Sequence, residues 1–456
     1  MRHALLVALV VSVPARAIAD DASTTATDID ADEVYARWSD DVRPMKKSYS
    51  LPFAETLGWE LALNGIAQAA GMPWADISAS SIRDNLTSSW ELDEDAFTIN
   101  QIGHPYIGAI PFMMARSTGH GFWVSSAYSF GGSLIWEVLL ENTTPSLNDQ
   151  LTTVVAGSFL GESLHRISRA LRHRPTTLRK IAATVLDPVA TAHRNTWGKA
   201  WRDNLPPSYY AHVGVGWEQL TRTFSGTRAE EDQNQLHAEL VLQHGMPADQ
   251  DFRPRVPFDH FDLRASVDVS REHVVGTLDM RGMLYGGWLS QGSLRGVYGL
   301  YGMYDYMNPD RVRVSAIGIG PGIATETALG ERSFLRATAV VGLVPWGAAG
   351  GSNESETMRD YQRGPGLAEI LELELGRRGW GEIRATSRAW QIDGTQTGDG
   401  REFVSTHTLG GRLAITRNHA LGVEGTLSLR DSRFALMEAT DETLEFRLFY
   451  ALTSSD

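Results

Sequence analysis

Residues 371–389 read LELELGRRGWGEIRATSRA. Leu371, Leu373 and Leu375 alternate with Glu372 and Glu374. After a turn at Arg378, Ile383, Ala385, Ser387 and Ala389 alternate with Glu382, Arg384, Thr386 and Arg388. A period of two is the pattern of a strand with one apolar and one polar face. The rhythm returns in Leu421, Val423, Gly425, Leu427 and Leu429. It returns again in Leu444, Phe446, Leu448 and Tyr450, set against Glu445, Arg447, Phe449 and Ala451.

Working outward, twelve such runs are expected, near 209–224, 233–243, 258–270, 273–286, 292–306, 311–324, 333–344, 365–376, 380–391, 401–416, 419–430 and 439–451. Most reach the roughly 9–11 residues that a tilted strand needs to cross a bilayer, whereas soluble strands average about 5–6. The pattern predicts an all-β transmembrane barrel of about twelve antiparallel strands over residues 206–456. The long link 345–363 and the Gly/Asp-rich link 392–400 then fall outside, and short turns at Arg378 and Arg417–Asn418 face the periplasm. The connection 244–257 breaks this rule, being long at the short-turn end. Gly282, Gly286 and Gly287 are expected to relieve crowding in a curved sheet. The competing architecture is a soluble antiparallel barrel or sandwich.

Upstream the period changes. FAETLGWELALNGIAQAAG, 53–71, predicts a helix stopped by Gly71 and Pro73. HPYIGAIPFMMAR, 104–116, predicts a helix started by Pro105 with His104 just outside it, and Pro111 as a kink or a later start. Leu160, Leu164, Ile167 and Leu171 form one stripe, and a further helix is expected within 178–203. FWVSSAYSFGGSLIWEVLL, 122–140, has the length of a membrane span but not the content. Ser126, Ser129, Ser133 and Glu137 lie along one stripe. The reading is a buried amphipathic helix whose small polar stripe lets another backbone approach. Residues 51–205 are therefore expected to form an N-terminal α-helical domain, periplasmic or plugging the barrel.

The chain opens with MRH, an apolar run at 4–13 and AIA at 17–19, the signature of a secretory signal peptide over 1–19. Residues 20–50 read as a flexible acidic lead-in. The absence of Cys excludes disulfides, thiolate metal sites, Cys nucleophiles and a lipidated Cys. A formal charge of −14 argues against nucleic acid as a partner. The expected partners are outer-membrane lipid and the barrel-assembly machinery.

The run Asn100, His104-Pro105-Tyr106, Gly108, Ala115-Arg116, Ser133, Trp136-Glu137, Glu141, Pro145-Ser146, Asp149 and Gly161-Glu162 resembles a bacterial envelope family known as domain of unknown function 3943. The resemblance covers about 97–166. It implies an exported protein with a barrel-like C-terminal region, and no reaction. The aromatic pair expected where Pro111-Phe112 stands is incomplete.

Two chemistries compete with a purely structural helical domain. Glu162 and His165 form a Glu-x-x-His pair which, with Glu137 and Glu141, offers metal ligands of the carboxylate–imidazole type. Ser133, with His104 or His120 as base and Asp149 or Glu137 behind it, offers a nucleophile set for a lipid- or peptidoglycan-acting hydrolase. Neither has a supporting motif. The bland readings are a Glu162–Arg166 helix pair, His104 as a cap, Asp149 as turn or cap chemistry, and Glu137 bonded to backbone donors or Arg116. No cofactor is predicted. The expected role is envelope structure or restricted passage of a small molecule or lipid, not wide diffusion.

Overall fold

A computed structural model describes residues 46–453 apart from 174–175, 199–208, 225–226, 250–251, 272–273, 310–311, 351–360, 396–399 and 434–437. The expected signal peptide and nearly all of the acidic lead-in lie outside the described residues. The chain divides into two compact units, with the boundary at Pro206–Pro207.

The second unit is a closed antiparallel barrel of twelve strands. They are β1 (Tyr209–Phe224), β2 (Thr227–His244), β3 (Phe261–Val269), β4 (Val274–Gln291), β5 (Leu294–Met307), β6 (Arg313–Ala328), β7 (Ser333–Gly350), β8 (Gln362–Arg377), β9 (Gly381–Asp393), β10 (Arg401–Ala414), β11 (His419–Arg433) and β12 (Glu438–Thr453). Each pairs with its sequence neighbours, and β12 closes on β1, so no edge is left open. The turns stay tight where glycine allows a positive φ, as at Gly379 (φ +79°) between β8 and β9.

Polarity decides the solvent. Leu373 is 56% exposed, and the adjacent Glu374 is 1% exposed. Leu371, Leu375, Ile383, Leu421, Leu444, Phe446 and Leu448 also face outward. Oily outside and charged inside is the arrangement of a transmembrane barrel. A soluble barrel needs the reverse, so that alternative is excluded.

The long β2–β3 connection, which breaks the turn rule, packs its aromatics against the barrel wall. Phe258 is fully buried at φ +63°, and its N–H donates to the Met283 carbonyl at 2.7 Å. Gly282 makes room for it: a Cβ there would lie 2.4 Å from the Phe258 ring. Phe252 packs on the apolar interior around Tyr301, Met303, Val340 and Ile392. Phe252 thus lies against the inner cluster, while Phe258 packs on Phe261, on the strand face opposite the lumen-lining Asp262 and Arg281.

The first unit is helical: α1 (Ser50–Ala69), α2 (Ala79–Thr87), α3 (His104–Ser117), α4 (Phe122–Ile135), α5 (Leu147–Leu151), α6 (Gly157–His173), α7 (Thr177–Leu186) and α8 (Pro188–Thr196). Three π-helical turns interrupt it, at Ile99–Gly103, Trp136–Leu140 and Thr152–Ala156. The helix expected within 178–203 is two helices. Asp187 ends α7, and its carboxylate accepts from Ala190 N–H at 2.8 Å, while Pro188 starts α8.

Two local expectations fail. His104 does not stand outside its helix or cap it. The chain is already helical through the π turn at 99–103, and no side chain caps α3. Pro111 remains inside α3. The segment 122–140 is helical throughout; its polar stripe is buried, with Phe122 and Leu140 at its two ends, while much of its apolar surface is exposed. Ser125, Ser129, Ser133 and Glu137 point inward, whereas Trp123 (63% exposed), Phe130 and Leu134 point out. The small stripe does admit a neighbouring backbone: Ser129 Oγ donates to the Gly108 carbonyl at 2.9 Å. No described helix is long and apolar enough to cross a membrane.

Candidate functional site

The helical unit gathers its acids around one histidine. His104 sits directly after the first π turn, Glu137 within the second, and Thr153 within the third. A π turn inserts an extra residue and re-aims side chains, and it recurs at functional sites. His104 Nδ1 meets Thr153 Oγ1 at 3.3 Å, and its Nε2 lies 3.6 Å from Asp149 Oδ1. Asn148 Nδ2 donates to Asp149 Oδ1 at 2.9 Å and to Asp93 Oδ1 at 2.7 Å. Asn100 Nδ2 donates to the same Asp93 oxygen at 2.8 Å. Glu137 Oε2 accepts the Ser146 N–H at 2.7 Å, and Trp136 Nε1 donates to Glu141 Oε1 at 2.7 Å.

Burial governs the acids of this centre. Burial first, then the charges of Glu141 and Asp149, pushes the Glu137 carboxyl up to about 9. Burial raises Asp149 well above the carboxylate range, with Asp93 adding to it, and raises Glu141 also. Burial lowers His104 despite the attraction of Asp93, which favours the neutral imidazole. Glu60, beside Gly132, is raised to about 8 by burial.

The predicted sets divide. Ser133 Oγ donates to Gln150 Oε1 at 3.0 Å, and the hydroxyl at His104 is that of Thr153. The Ser133–His104 pair needed for hydrolysis is therefore not assembled. Of the proposed metal ligands, Glu137 and Glu141 belong to the acid centre, but Glu162 and His165 do not. Arg116 grips both Glu162 oxygens, at 2.5 and 2.9 Å, and Arg166 adds a third bond at 2.7 Å. These guanidiniums overcome the burial cost and hold the Glu162 carboxyl far below its ordinary range. His165 Nδ1 pairs with Asp187 at 2.7 Å. The four candidates do not meet.

Other residues of the motif hold helices together. A Cβ on Gly108 would lie 1.9 Å from the Thr153 carbonyl oxygen, and one on Gly161 2.8 Å from Phe112. Ser146 caps α5, accepting from Asp149 N–H at 3.2 Å. Pro105 sits buried in the first turn of α3. Tyr106 is exposed.

The barrel lumen is the larger polar site, and it was not anticipated as a set of paired charges. Around the wall, Glu326 (β6), Arg336 (β7), Glu374 (β8), Arg384 (β9), Glu424 (β11), Arg447 (β12) and Glu218 (β1) alternate in sign. Each stands opposite the next in strand register. On β10, Gly410 stands between Arg384 and Glu424 and leaves room for both. Arg336 donates to Glu326 at 2.7 Å and to Glu374 at 2.9 Å, and Arg447 to Glu424 at 3.0 Å.

Other pairs span the bore. Arg264 of β3 reaches Glu424 of β11 at 2.6 Å. Arg281 of β4 reaches Glu372 of β8 at 3.5 Å, Arg388 of β9 pairs with Asp279 of β4, and Trp390 of β9 donates to Asp305 of β5 at 2.8 Å. The remaining cavity is about 100 Å³, on the order of several water molecules. Nine carboxylates and five guanidiniums line it. A usable signal was present: a turn centred on Gly379 sets Glu374 opposite Arg384, and the register extends strand by strand.

The class so defined is a closed twelve-stranded transmembrane barrel joined to a helical unit with an acid-rich interior. Within the helical unit, residues 89–189 match the family described as Domain of unknown function (DUF3943), which confirms the resemblance read from the motif. No curated protein matches the chain. Among solved structures, the chain is similar to the Pseudomonas putida toluene transporter TodX, at 8% identity, 55% of this chain, 90% of that chain and a TM-score of 0.25. It is similar to the KdgM porin in complex with disordered oligogalacturonate, at 7%, 52%, 98% and 0.25. It is similar to the outer membrane protease OmpT from Escherichia coli, at 10%, 55%, 98% and 0.21. At these scores the barrel rests on its own strand pairing, and no activity is taken from these proteins.

Proposed function

We propose that this is an outer-membrane barrel, closed at rest, that carries its helical unit at the envelope and admits at most small ions or polar solutes. The observation that carries the reading is the set of ion pairs spanning the lumen. An open porin keeps a water-filled bore. Here guanidinium–carboxylate bonds between strands four or five places apart occupy it. Contact with outer-membrane lipid suits the apolar exterior, and insertion by the barrel-assembly machinery belongs to the same proposal. The helical unit serves as a structural element with a sealed polar interior, because Ser133 and Glu162, on which the enzymatic alternatives depended, are engaged elsewhere.

Single-channel recording of the full chain in planar bilayers tests this. The wild type should show no large ohmic steps, and Arg264→Ala with Arg281→Ala should introduce conductance. Large, steady conductance in the wild type would overturn the closed-barrel reading.

A further inference from the structure

One corner of the lumen wall contains more negative charge than its arginines answer. Glu218 of β1, His237 of β2 and Asp268 of β3 project into it from three consecutive strands, with His237 and Asp268 directly opposite in register. His237 Nδ1 lies 2.6 Å from Asp268 Oδ1 and 3.9 Å from Glu218 Oε2. One donor atom from each of the three lies within 4.8 Å of the others, and all three residues are at most 2% exposed.

Two further observations point to a missing cation. The first is unmet bonding. Asp268 Oδ2 and, beside Glu218 on the neighbouring strand, Gln235 Oε1 are buried with no hydrogen-bond partner. Arg447 approaches that Asp268 oxygen only to 3.8 Å, because its N–H groups are committed to Glu218, Glu424 and Glu445. Unpaired buried carboxylate oxygens are costly. The second is the local balance of charge. Arg264 and Arg447 together serve Glu218, Asp268, Glu424 and Glu445, and Glu239 is shared between Arg264 and His212.

We propose that Glu218, His237 and Asp268 form a binding site for a divalent transition-metal cation of the zinc class in the barrel wall. One imidazole and two carboxylates suit such an ion, whereas calcium takes six to eight oxygens and magnesium an octahedral set. The ion replaces the proton shared by His237 Nδ1 and Asp268, so binding releases a proton to solvent. Ligand bonds of about 2.0–2.2 Å draw Glu218 inward and part the 2.6 Å His–Asp contact slightly. Gln235 Oε1 or lumen water completes the sphere. The ion would tie β1, the strand that opens the barrel, to β2 and β3.

The test uses the full chain purified in detergent, stripped with chelator, titrated with Zn²⁺ by calorimetry and assayed for metal after desalting. One zinc per chain is expected. His237→Gln with Asp268→Asn should weaken binding by at least about tenfold, while His407→Ala, at an exposed position of β10, should leave it unchanged. Heat-modifiable gel migration checks that the variants are folded. Should the double variant not fold, the visible spectrum of the Co²⁺-loaded wild type decides. Intense four- or five-coordinate bands support the site, and a purely hexaaqua-like spectrum overturns it. The proposal also fails if the wild type retains no stoichiometric zinc, or if the folded double variant binds as tightly.

Discussion

The barrel and the helical unit both turn polar groups inward, yet they treat buried acid in different ways. In the barrel, strand register places Glu374 beside Arg336 and Arg384, and Glu424 beside Arg447, so carboxylates meet guanidiniums at hydrogen-bond distance. In the helical unit Glu162 is treated so, by Arg116 and Arg166. Burial pushes Glu60 up to about 8 and Glu137 to about 9, and it raises Asp149 as well. The difference follows from geometry. A sheet repeats its neighbours every two residues, so one alternation of sign propagates around a wall. Helix packing at Gly108 and Ser129 brings backbones close and leaves little space for long cationic side chains.

The largest effect should come from breaking charge pairing in the barrel. Arg384→Met leaves Glu374 and Glu382 without a shared cation inside the wall. Losing one partner of a buried pair costs about 3–5 kcal/mol, and the lower end applies because Arg336 still holds Glu374 and Arg412 still holds Glu382. Urea unfolding of the barrel, followed by heat-modifiable migration, should show a loss of this size. Glu374→Gln added to Arg384→Met should recover part of it. A neutral outcome for Arg384→Met would mean that the ring is solvated and does not hold the barrel.

Next comes packing in the helical unit. Gly108→Ala places a methyl 1.9 Å from the Thr153 carbonyl oxygen. Backbone cannot swing aside as a flexible side chain can, so the expected cost is about 3 kcal/mol. Protease resistance of the helical unit should fall while barrel migration on gels is unchanged. If both units fail together, their stabilities are not separate and the comparison breaks.

A smaller effect sharpens the proton argument. Glu137 is raised from the ordinary glutamate range to about 9 in the fold. The folded state therefore binds a proton that the unfolded chain loses. Its contribution is present at acidic pH, below the unfolded value, and is lost as pH rises through the neutral range toward 9. Hydrogen-exchange protection of α4 should be greater at pH 5.5 than at pH 9. Glu137→Gln, which imitates the protonated acid and can still accept the Ser146 N–H, should cost less than about 1 kcal/mol at neutral pH and flatten this dependence. An unchanged slope would assign the proton to another group.

Much of the barrel was legible in the sequence, because lipid outside and charge inside force strict alternation, and LELEL is an extreme case. Strand pairing was also within reach through short turns such as that at Gly379. The β2–β3 connection misled because length alone does not show that Phe252 packs on the apolar interior and Phe258 on Phe261. The helical unit was harder to read. Its inward stripe was found in Ser129, Ser133 and Glu137, but the sequence does not say that the oily face stays outside. Candidate residues were named from type and spacing, and type cannot tell a ligand from a partner. Glu162 and His165 share a helix, yet one answers arginines on α3 and α6 and the other answers Asp187.

The smallest expected effect concerns Ser133, the residue on which the hydrolase alternative depended. Its hydroxyl donates to Gln150 Oε1 at 3.0 Å within a buried face. Ser133→Ala removes one neutral hydrogen bond and leaves an amide oxygen that can turn toward another donor. Such a loss costs about 1 kcal/mol, and the methyl of alanine fits the space of the serine side chain. Protease resistance of the helical unit should therefore fall only slightly. A nucleophile behaves otherwise, since its removal abolishes turnover while leaving the fold intact. Incubation of wild type and Ser133→Ala with phospholipid vesicles and with peptidoglycan fragments should give equal, background release of product. Product release by the wild type alone would return Ser133 to chemistry and would require His104 to leave Thr153 for it.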